Sequence, residues 1–245
     1  MTYNGDMVTN YVQLKINSEN EVQALAQNIF QRCITEEEYA WLAGAQPGDN
    51  VVVSLKYDKE ISYIELWMTR PVSVGRRSLY IGMASALFKG GKGPLLTIQL
   101  IKIPQELRGQ GIGPDIIATQ IKAAQRVGIS QIDGYADNEE YLPGRRHIGY
   151  YVLPRLGFDA QLTDDQKQKL PAELANKGSI SEIMRDDKTR KTWRENGLPM
   201  YVTFDTSANS SSVHTLQDYL KEKGRSWESI RDTPPQVLRV TKMPS

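Results

Sequence analysis

The sequence lacks two features that would assign it to large classes of protein. Cys33 is the one cysteine in 245 residues, so an intrachain disulfide is impossible and a multi-cysteine metal site is excluded. No apolar run reaches the roughly 20 residues that a membrane-spanning helix needs, and residues 1–10 lack the apolar region of a signal peptide. We therefore expect a cytoplasmic protein with no metal and no membrane partner.

A strong net charge is also missing. Lys and Arg number 30 and Asp and Glu number 29, which gives a formal net charge of +1. Proteins that bind nucleic acids attract the phosphate backbone with an excess of positive charge. This chain has almost none, so we expect no nucleic-acid partner. The hydrophobic fraction of 40% is that of a folded globular protein. Cys33 closes the apolar stretch Leu25–Ile34, which predicts a buried side chain.

Alternating apolar residues and turn chemistry predict a series of strands. The predicted strands are Val51–Tyr57, Ile61–Met68, Ser78–Phe88, Leu95–Ile103, Ile129–Tyr135 and Met200–Asp205. Lys89-Gly-Gly-Lys-Gly93 predicts a tight reversal between two of them. A phosphate-binding P-loop is excluded there, because its Gly-Lys pair must be followed by Ser or Thr at the head of a helix.

Helical spacing of apolar residues predicts helices around these strands. They are Glu19–Glu38, the capping-box segment Thr35–Leu42, Pro114–Val127, Ile148–Leu156, two or three short helices within Thr163–Glu195, and Val213–Lys223. Gly157-Phe158 predicts the entry to a further strand. Together these elements predict an α/β (α+β) fold with a mixed, mostly antiparallel central sheet, helices on both faces and extra helices near the C-terminus.

One loop in this series has the composition of an anion-binding site. Arg108-Gly-Gln-Gly-Ile-Gly113 follows a predicted strand and precedes the helix Pro114–Val127. The first turn of a helix presents unpaired N–H groups and roughly half a positive charge. Glycines let an anion approach the backbone, and arginine adds a forked cation. The segment therefore predicts a pyrophosphate site.

Two other interpretations of this loop stay open from the residues alone. The dinucleotide fingerprint G-x-G-x-x-G fits poorly, because Gly109, Gly111 and Gly113 are spaced G-x-G-x-G. The strand of such a fold would also open the domain rather than follow three others. An ordinary strand-to-helix turn that happens to contain glycines is the second alternative.

The segment Arg108–Gly113 resembles the R-x-x-G-x-G signature of the GCN5-related N-acetyltransferases. Leu156-Gly157-Phe158, about 45 residues later, resembles that family's Leu-Gly-Phe step from a helix into a strand. The resemblance covers residues 51–160, and 200–205 weakly. It implies an acetyltransferase-like domain at 46–205 with a helical insertion at 163–196, after an N-terminal helical segment at 1–45 and before a C-terminal extension at 206–245.

The resemblance also implies a cosubstrate, acetyl-CoA, and the residues that bind it. The backbone of Gln110–Gly113 would bind the pyrophosphate with help from Arg108, and the edge of Leu100–Ile103 would pair with the pantetheine arm. That strand and Ile129–Tyr135 would splay apart around the thioester, whose carbonyl an amide near Ile101 would polarise. The implied cofactor-binding residues are Ile101, Ile103, Arg108, Gly109, Gln110, Gly111, Ile112 and Gly113.

The catalytic residues are less determined by the resemblance. The family's acid is often a tyrosine four residues before the Gly of the Leu-Gly-Phe step, but Leu153 occupies that position here. Tyr150 and Tyr151, about one helical turn earlier, are the candidate acids, with core packing as the alternative for each. Glu65, on one strand face with Tyr63 and Trp67, is the candidate base. Other candidates near the implied gap are Asp133, Glu139, Glu140 and His147.

The predicted reaction is transfer of an acetyl group to a primary amine, on a protein or a small molecule. The replacement of the family tyrosine by Leu153 leaves a second possibility, a CoA-binding or regulatory module without turnover. A transferase of another acyl or an aminoacyl group is a third. A homodimer is compatible with the sequence.

Overall fold

The structure, a computed structural model, describes residues 10–58, 61–74, 77–91, 93–137, 140–142, 145–146 and 149–240. The chain forms two compact units. The first consists of Met1–Ile129 and Glu228–Ser245, and the second consists of Ser130–Trp227. The predicted domain boundaries at residues 45 and 205 stay a prediction.

The elements of the described residues alternate along the chain as follows. The strands are β1 (Val12–Ile16), β2 (Asn50–Asp58), β3 (Ile61–Val74), β4 (Arg77–Gly90), β5 (Gly93–Lys102), β6 (Gln131–Ala136), β7 (Glu140–Leu142), β8 (Arg145–Arg146), β9 (Met200–Asp205) and β10 (Val237–Arg239). The helices are α1 (Glu19–Phe30), α2 (Glu36–Leu42), α3 (Ile112–Val127), α4 (Gly149–Arg155), α5 (Asp164–Gln168), α6 (Ala172–Ala175), α7 (Ile180–Met184), α8 (Asp187–Asn196) and α9 (Ser211–Glu222). None of these helices is long and apolar enough to cross a membrane.

The first unit is built on a mixed sheet in the order β10-β1-β2-β3-β4-β5. β1 runs parallel to β10 and to β2, whereas β2, β3, β4 and β5 pair antiparallel in succession. Gly90 pairs with Gly93, so the predicted reversal between β4 and β5 is confirmed. The predicted class, a mixed α/β fold with a mostly antiparallel sheet, is also confirmed. The splayed strand pair stays a prediction.

The two faces of this sheet differ in burial. Leu66 and Met68 lie on a fully buried face. On the same face, Ser85 accepts a hydrogen bond of 2.9 Å from Gln120 Nε2 of α3. The same nitrogen donates to the Leu42 carbonyl of α2 at 2.6 Å. The helices α2 and α3 therefore cover one face, and the residues between the buried ones along β3 point to the other.

α3 has the start and stop signals of an amphipathic helix. Ile117, Ile121 and Ala124 are buried along one side, as their spacing predicts. The helix begins at Ile112, two residues before its predicted start, because Gly111 takes a left-handed conformation as the N-cap. Gly128 takes the same conformation at the C-cap, with φ of 84°.

The C-terminal segment returns to the first unit. Its strand β10 pairs with β1, with Val12 opposite Val237, and the buried Lys122 of α3 donates to the Ile230 carbonyl at 2.7 Å. The sequence pattern predicted neither strand, because each is short and lies outside any clear alternation. Pairing with a distant partner is what makes them strands.

The second unit contains the antiparallel pair β6–β9. Phe158 packs on Phe204 of β9, with ring centroids 5.2 Å apart. Gly157 has φ of 95°, and a Cβ there would lie 2.2 Å from the Ser212 carbonyl oxygen of α9. Only glycine fits this close approach of two backbones, so the Leu156-Gly157-Phe158 step has a packing reason.

Two predictions about the N-terminal helices are wrong. The helical spacing over Glu19–Glu38 is not one helix, because α1 ends at Phe30 and Gln31 takes a left-handed conformation. The chain has therefore left the helix before Cys33, which is exposed rather than buried. The capping box predicted for Thr35 and Glu38 is confirmed.

The further strand predicted after Gly157-Phe158 is also wrong. Within the described residues this segment makes two isolated bridges, between Asp159 and Thr203 and between Gln161 and Ser179. Thr163 then caps α5, with its side chain accepting from the Gln166 amide. The capping signal redirects the chain before a strand can extend.

Candidate functional site

The loop between β5 and α3 is the centre of the candidate site. β5 ends at Lys102, and a 3-10 turn at Gln105–Leu107 follows. Leu107 is buried and anchors this turn, whereas residues 108–110 are exposed. The predicted strand, glycine-containing turn and helix are all present, in one compact unit.

Glycine occupies the three positions of the loop for different structural reasons. Gly109 and Gly111 have φ of 78° and 80°, a backbone conformation that L side chains rarely adopt. A Cβ on Gly109 would have no heavy atom within 4 Å, so open space lies beside this backbone. A Cβ on Gly113 would lie 3.1 Å from Ile103 Cδ1, so glycine lets the helix start close to the strand end.

Polar side chains of the loop bind to carbonyl groups on its strand side. Arg108 Nε donates to the Ile103 carbonyl at 3.2 Å, and Gln110 Nε2 donates to the Glu106 carbonyl at 3.2 Å. These bonds fix the path of the loop. Because Arg108 donates through Nε, its positive charge is held beside the loop. The N–H groups of its two terminal nitrogens can still donate to a ligand.

The helix end offers N–H groups to an anion. Ile112 and Gly113 are the first two residues of α3, where N–H groups have no acceptor within the helix. The third position is proline, which has no N–H to leave unsatisfied. α3 has 16 residues, so its dipole adds partial positive charge at this end. The same turn contains Asp115, whose oxygen Oδ1 is buried.

A β-bulge lies just before the loop. Ala84 is opposite Leu100 and Ser85 is opposite Ile98, so Gln99 has no partner residue on β4. A bulge bends its strand and disrupts the local ladder, and bulges are frequent beside active sites. The sequence did not predict it, since neither strand contains a glycine or proline at this point. Its position on β5 is just before the segment Leu100–Ile103.

On the face of the sheet opposite Leu66 and Met68, three residues form a row beside the bulge, with Ala84 buried at 4% exposure between two larger side chains. Trp67 of β3 lies opposite Ala84 of β4, and Ala84 lies opposite Leu100 of β5. Trp67 and Leu100 are each 37% exposed. Strands are about 4.8 Å apart, so these two side chains stand roughly 10 Å apart with a small alanine between them. We call this arrangement the Trp67 trough.

Glu65 lies on the same face as Trp67, as predicted. It is opposite Ala86 of β4, the next small residue along from Ala84. Its carboxylate pairs with Lys56 Nζ at 3.5 Å, and both side chains are partly exposed. The structure therefore places a solvent-accessible carboxylate beside the Trp67 trough, within the first unit.

Tyr150 and Tyr151, the candidate acids, belong to the second unit. Tyr150 is buried; its hydroxyl donates to the Arg194 carbonyl at 2.6 Å, and its own carbonyl accepts from Trp193 Nε1 at 2.8 Å. These contacts favour the packing alternative for Tyr150. Tyr151 is half-buried, and its hydroxyl accepts from Arg155 at 3.4 Å. Proton transfer by either residue stays a prediction.

The remaining candidate bases are only partly described. Asp133 accepts from Gln131 Nε2 at 2.8 Å and from Thr203 Oγ1 at 2.9 Å, so its carboxylate already has hydrogen-bond partners. Glu139 and His147, and the side chain of Glu140, lie outside the described residues. Over the described ranges, no three His, Cys, Asp or Glu residues cluster in a way that could hold a metal ion.

Comparison with known proteins finds only distant similarity. No protein-family model and no curated protein matches this chain. One matching solved structure is Naa50 of Arabidopsis thaliana in complex with the bisubstrate analogue CoA-Ac-MVNAL, at 13% identity and a TM-score of 0.28, over 59% of this chain and 83% of that one. Another is the CoA-dependent acyl-homoserine lactone synthase BjaI with SAM and isopentyl-CoA, at 15% identity and a TM-score of 0.33, over 73% and 70%. With similarities this low, the chemistry of the candidate site rests on its own geometry.

Proposed function

We propose that this chain is an acyl-CoA-dependent N-acetyltransferase, which transfers the acetyl group of acetyl-CoA to a primary amine by direct attack in a ternary complex. The observation that carries the proposal is the loop between β5 and α3. There, two left-handed glycines at 109 and 111 expose the backbone at a helix N-terminus, beside the arginine at 108. That combination suits a diphosphate.

Acetyl-CoA would lie along the end of β5 and across this loop. The backbone of Gln110–Gly113 holds the pyrophosphate, with the terminal nitrogens of Arg108 adding charge. The pantetheine arm follows the backbone of Leu100–Ile103, where Ile101 and Ile103 contribute main-chain groups. The bulge at Gln99 bends the strand at the point where the thioester would sit, so that an amide near Ile101 polarises its carbonyl.

The reaction then needs one new bond and one broken bond. The neutral amine nitrogen attacks the thioester carbonyl carbon, and the resulting tetrahedral intermediate collapses by breaking the carbon–sulfur bond. The departing thiolate takes up a proton from a general acid or from water, and the amine gives up its own proton to a base. Holding both reactants in one site supplies much of the rate enhancement.

The Trp67 trough gives this proposal an acceptor site. Glu65 offers a carboxylate to the ammonium form of the amine and accepts its proton, while Trp67 and Leu100 offer apolar surface to the group next to it. Ala84 is the small residue between these two larger side chains. The best acceptor is therefore an amine flanked by an apolar side chain, on a peptide or a small molecule.

We expect Ala84→Leu to raise the KM for an apolar amine such as leucinamide by about tenfold to a hundredfold, because the new side chain fills the trough and displaces the amine. The dissociation constant for CoA, measured by calorimetry, stays the same. Ser78→Leu is a control on the same face of β4 about 20 Å away, and because Ser78 is exposed whereas Ala84 is buried, urea unfolding compares the stability of both variants. Equal KM values for both variants would contradict this acceptor site.

The proposal as a whole is tested by thiol release. The full-length protein is mixed with acetyl-CoA and a panel of amines that includes leucinamide, glycinamide and short peptides. We expect free CoA to form only when an amine is present, with leucinamide preferred. Longer acyl-CoA donors in parallel assays decide the acyl length. If CoA does not bind at all, the proposal is wrong.

One observation favours a second function. The position at which the family resemblance places a tyrosine is occupied by Leu153, which is buried and has no group to donate a proton. A chain that binds acetyl-CoA at the loop but releases no thiol with any amine is a CoA-binding or regulatory module. The same assay therefore separates the two functions.

A further inference from the structure

The second unit contains a cavity that is lined by residues of that unit alone. Its volume is about 290 Å³, and it lies between the end of α4, α7 and one side of α9. Six charged residues line it, in equal numbers of each sign: Arg155, Arg185, Arg190, Asp159, Asp218 and Glu222.

Four of the six charged side chains already have a partner within the second unit: Arg155, Glu222, Arg190 and Asp159. Arg155 pairs with Glu222 at 2.6 Å and lies over the Tyr219 ring, 5.1 Å from its centroid. Arg190 pairs with Asp187. An arginine held by a carboxylate and an aromatic face is a fixed wall rather than a free cation.

Asp159 is engaged as well. Its Oδ1 accepts from its neighbour's amide, Ala160 N, at 2.9 Å and from Ser181 N at 2.8 Å. Ser181 lies at the start of α7, so the carboxylate fixes the entry to that helix. This charge serves the fold, and its hydrogen bonds face the backbone.

Two opposite charges are left facing the cavity. Among the described residues, neither the Arg185 side chain nor the Asp218 side chain makes a hydrogen bond or an ion pair, and both residues are exposed. Between the helices that carry them, Phe158 and Met184 add apolar surface to the cavity wall. The cavity thus combines one available cation, one available anion and an apolar floor.

We infer that this cavity binds a zwitterion of amino-acid size. Its carboxylate would pair with Arg185, its ammonium with Asp218, and its apolar side chain would contact Met184 and Phe158. A volume of about 290 Å³ is near the lower end for ligand pockets, which favours an amino-acid-sized ligand over a nucleotide. The equal numbers of cations and anions argue against a simple phosphate.

This inference does not depend on the proposed acetyltransferase function. The probe is L-leucine, with two analogues that each lack one charge: leucinamide has no carboxylate, and N-acetylleucine has no ammonium. Binding is measured by calorimetry or by chemical-shift changes in the full chain, without any CoA. We expect leucine to bind and each analogue to bind about tenfold more weakly, because each loses one hydrogen-bonded charge pair.

Four variants test the two residues. Arg185→Gln and Asp218→Asn should each weaken leucine binding about tenfold. Arg185→Gln should leave the affinity for leucinamide unchanged, and Asp218→Asn that for N-acetylleucine, because the removed partners are already missing. Lys191→Gln and Glu195→Gln are controls with the same charge changes at exposed sites outside the cavity. All four substitutions are at exposed positions. Thermal unfolding of the four variants checks that their stabilities are similar.

Three outcomes would overturn the inference. The first is no leucine binding at millimolar concentration. The second is equal binding of leucine and both analogues, which would show that the charges do not select the ligand. The third is binding of inorganic phosphate that is lost in Arg185→Gln and unchanged in Asp218→Asn, which would identify a simple anion site.

Discussion

Gly109→Glu is expected to weaken the binding of CoA and acetyl-CoA by about tenfold to a hundredfold. Gly109 is exposed beside open space, and a glutamate there would put a carboxylate where the diphosphate is proposed to lie. One charge-assisted hydrogen bond would be lost, at about 1.5–3 kcal/mol, and every 1.4 kcal/mol is about tenfold in affinity. Calorimetry with CoA measures the change directly.

Gly128→Glu is the matched control for this variant. Gly128 also has a left-handed backbone, with φ of 84° against 78° for Gly109, and a Cβ on either would meet no atom within 4 Å. The two glycines flank opposite ends of α3, so both variants carry the same charge and a similar backbone strain. If Gly128→Glu weakens CoA binding as much as Gly109→Glu does, the loop is not the cosubstrate site.

Arg70→Met is expected to lower the free energy of unfolding by about 3–5 kcal/mol. Asp49 is fully buried, and Arg70 binds both of its carboxylate oxygens, at 2.7 and 2.9 Å. Methionine keeps most of the aliphatic stem and removes the charge. The carboxylate would then stay buried with only the Gln46 amide, which donates at 2.8 Å. Urea unfolding measures the loss.

The stability lost in Arg70→Met should depend on pH, and the burial of Asp49 sets the direction of that dependence. Burial raises the pKa of Asp49, and Arg70 opposes that rise. Without Arg70, the folded-state pKa lies further above the unfolded value. The missing stability is therefore largest above the folded-state pKa of the variant, and it shrinks as the pH falls towards the folded-state pKa of the parent protein, below which Asp49 is neutral in both folded proteins.

Two further variants complete this test. Arg239→Met removes an exposed pairing with Glu19 and Glu36 in the same unit and should cost less than about 1 kcal/mol. Adding Asp49→Asn to Arg70→Met should recover part of the stability, since the uncompensated buried charge is gone. Equal costs for Arg70→Met and Arg239→Met would show that the buried pair does not hold β2 and β3 together.

Much of the candidate site was predictable because its signals are local. Left-handed backbone at Gly109 and Gly111 follows from glycine itself, and a helix that begins beside them follows from the apolar spacing after Pro114. The trough is different. Trp67, Ala84 and Leu100 are far apart in the chain, and only the pairing register of three strands brings them into one row.

The same contrast explains the predictions that were wrong. Cys33 lies in an apolar stretch, but a single left-handed residue, Gln31, ends α1 and turns the cysteine to solvent. In the sequence, Gly157 is part of the Leu-Gly-Phe motif. The structure shows why a glycine is needed there: Ser212 of the distant helix α9 comes close to it. Neither conformation leaves a clear trace in the residues nearby.

The sequence by itself determined most of the strands and helices, the reversal at Gly90–Gly93 and the strand, glycine-containing turn and helix around residues 108–113, because periodicity, capping and glycine conformation act over a few residues. The tertiary structure decided the pairing of β1 with β10, the bulge at Gln99, the Asp49–Arg70 pair and the charged side chains that line the cavity of the second unit. Those features depend on which distant residues meet, and a contact between distant residues is fixed only when the whole chain has packed.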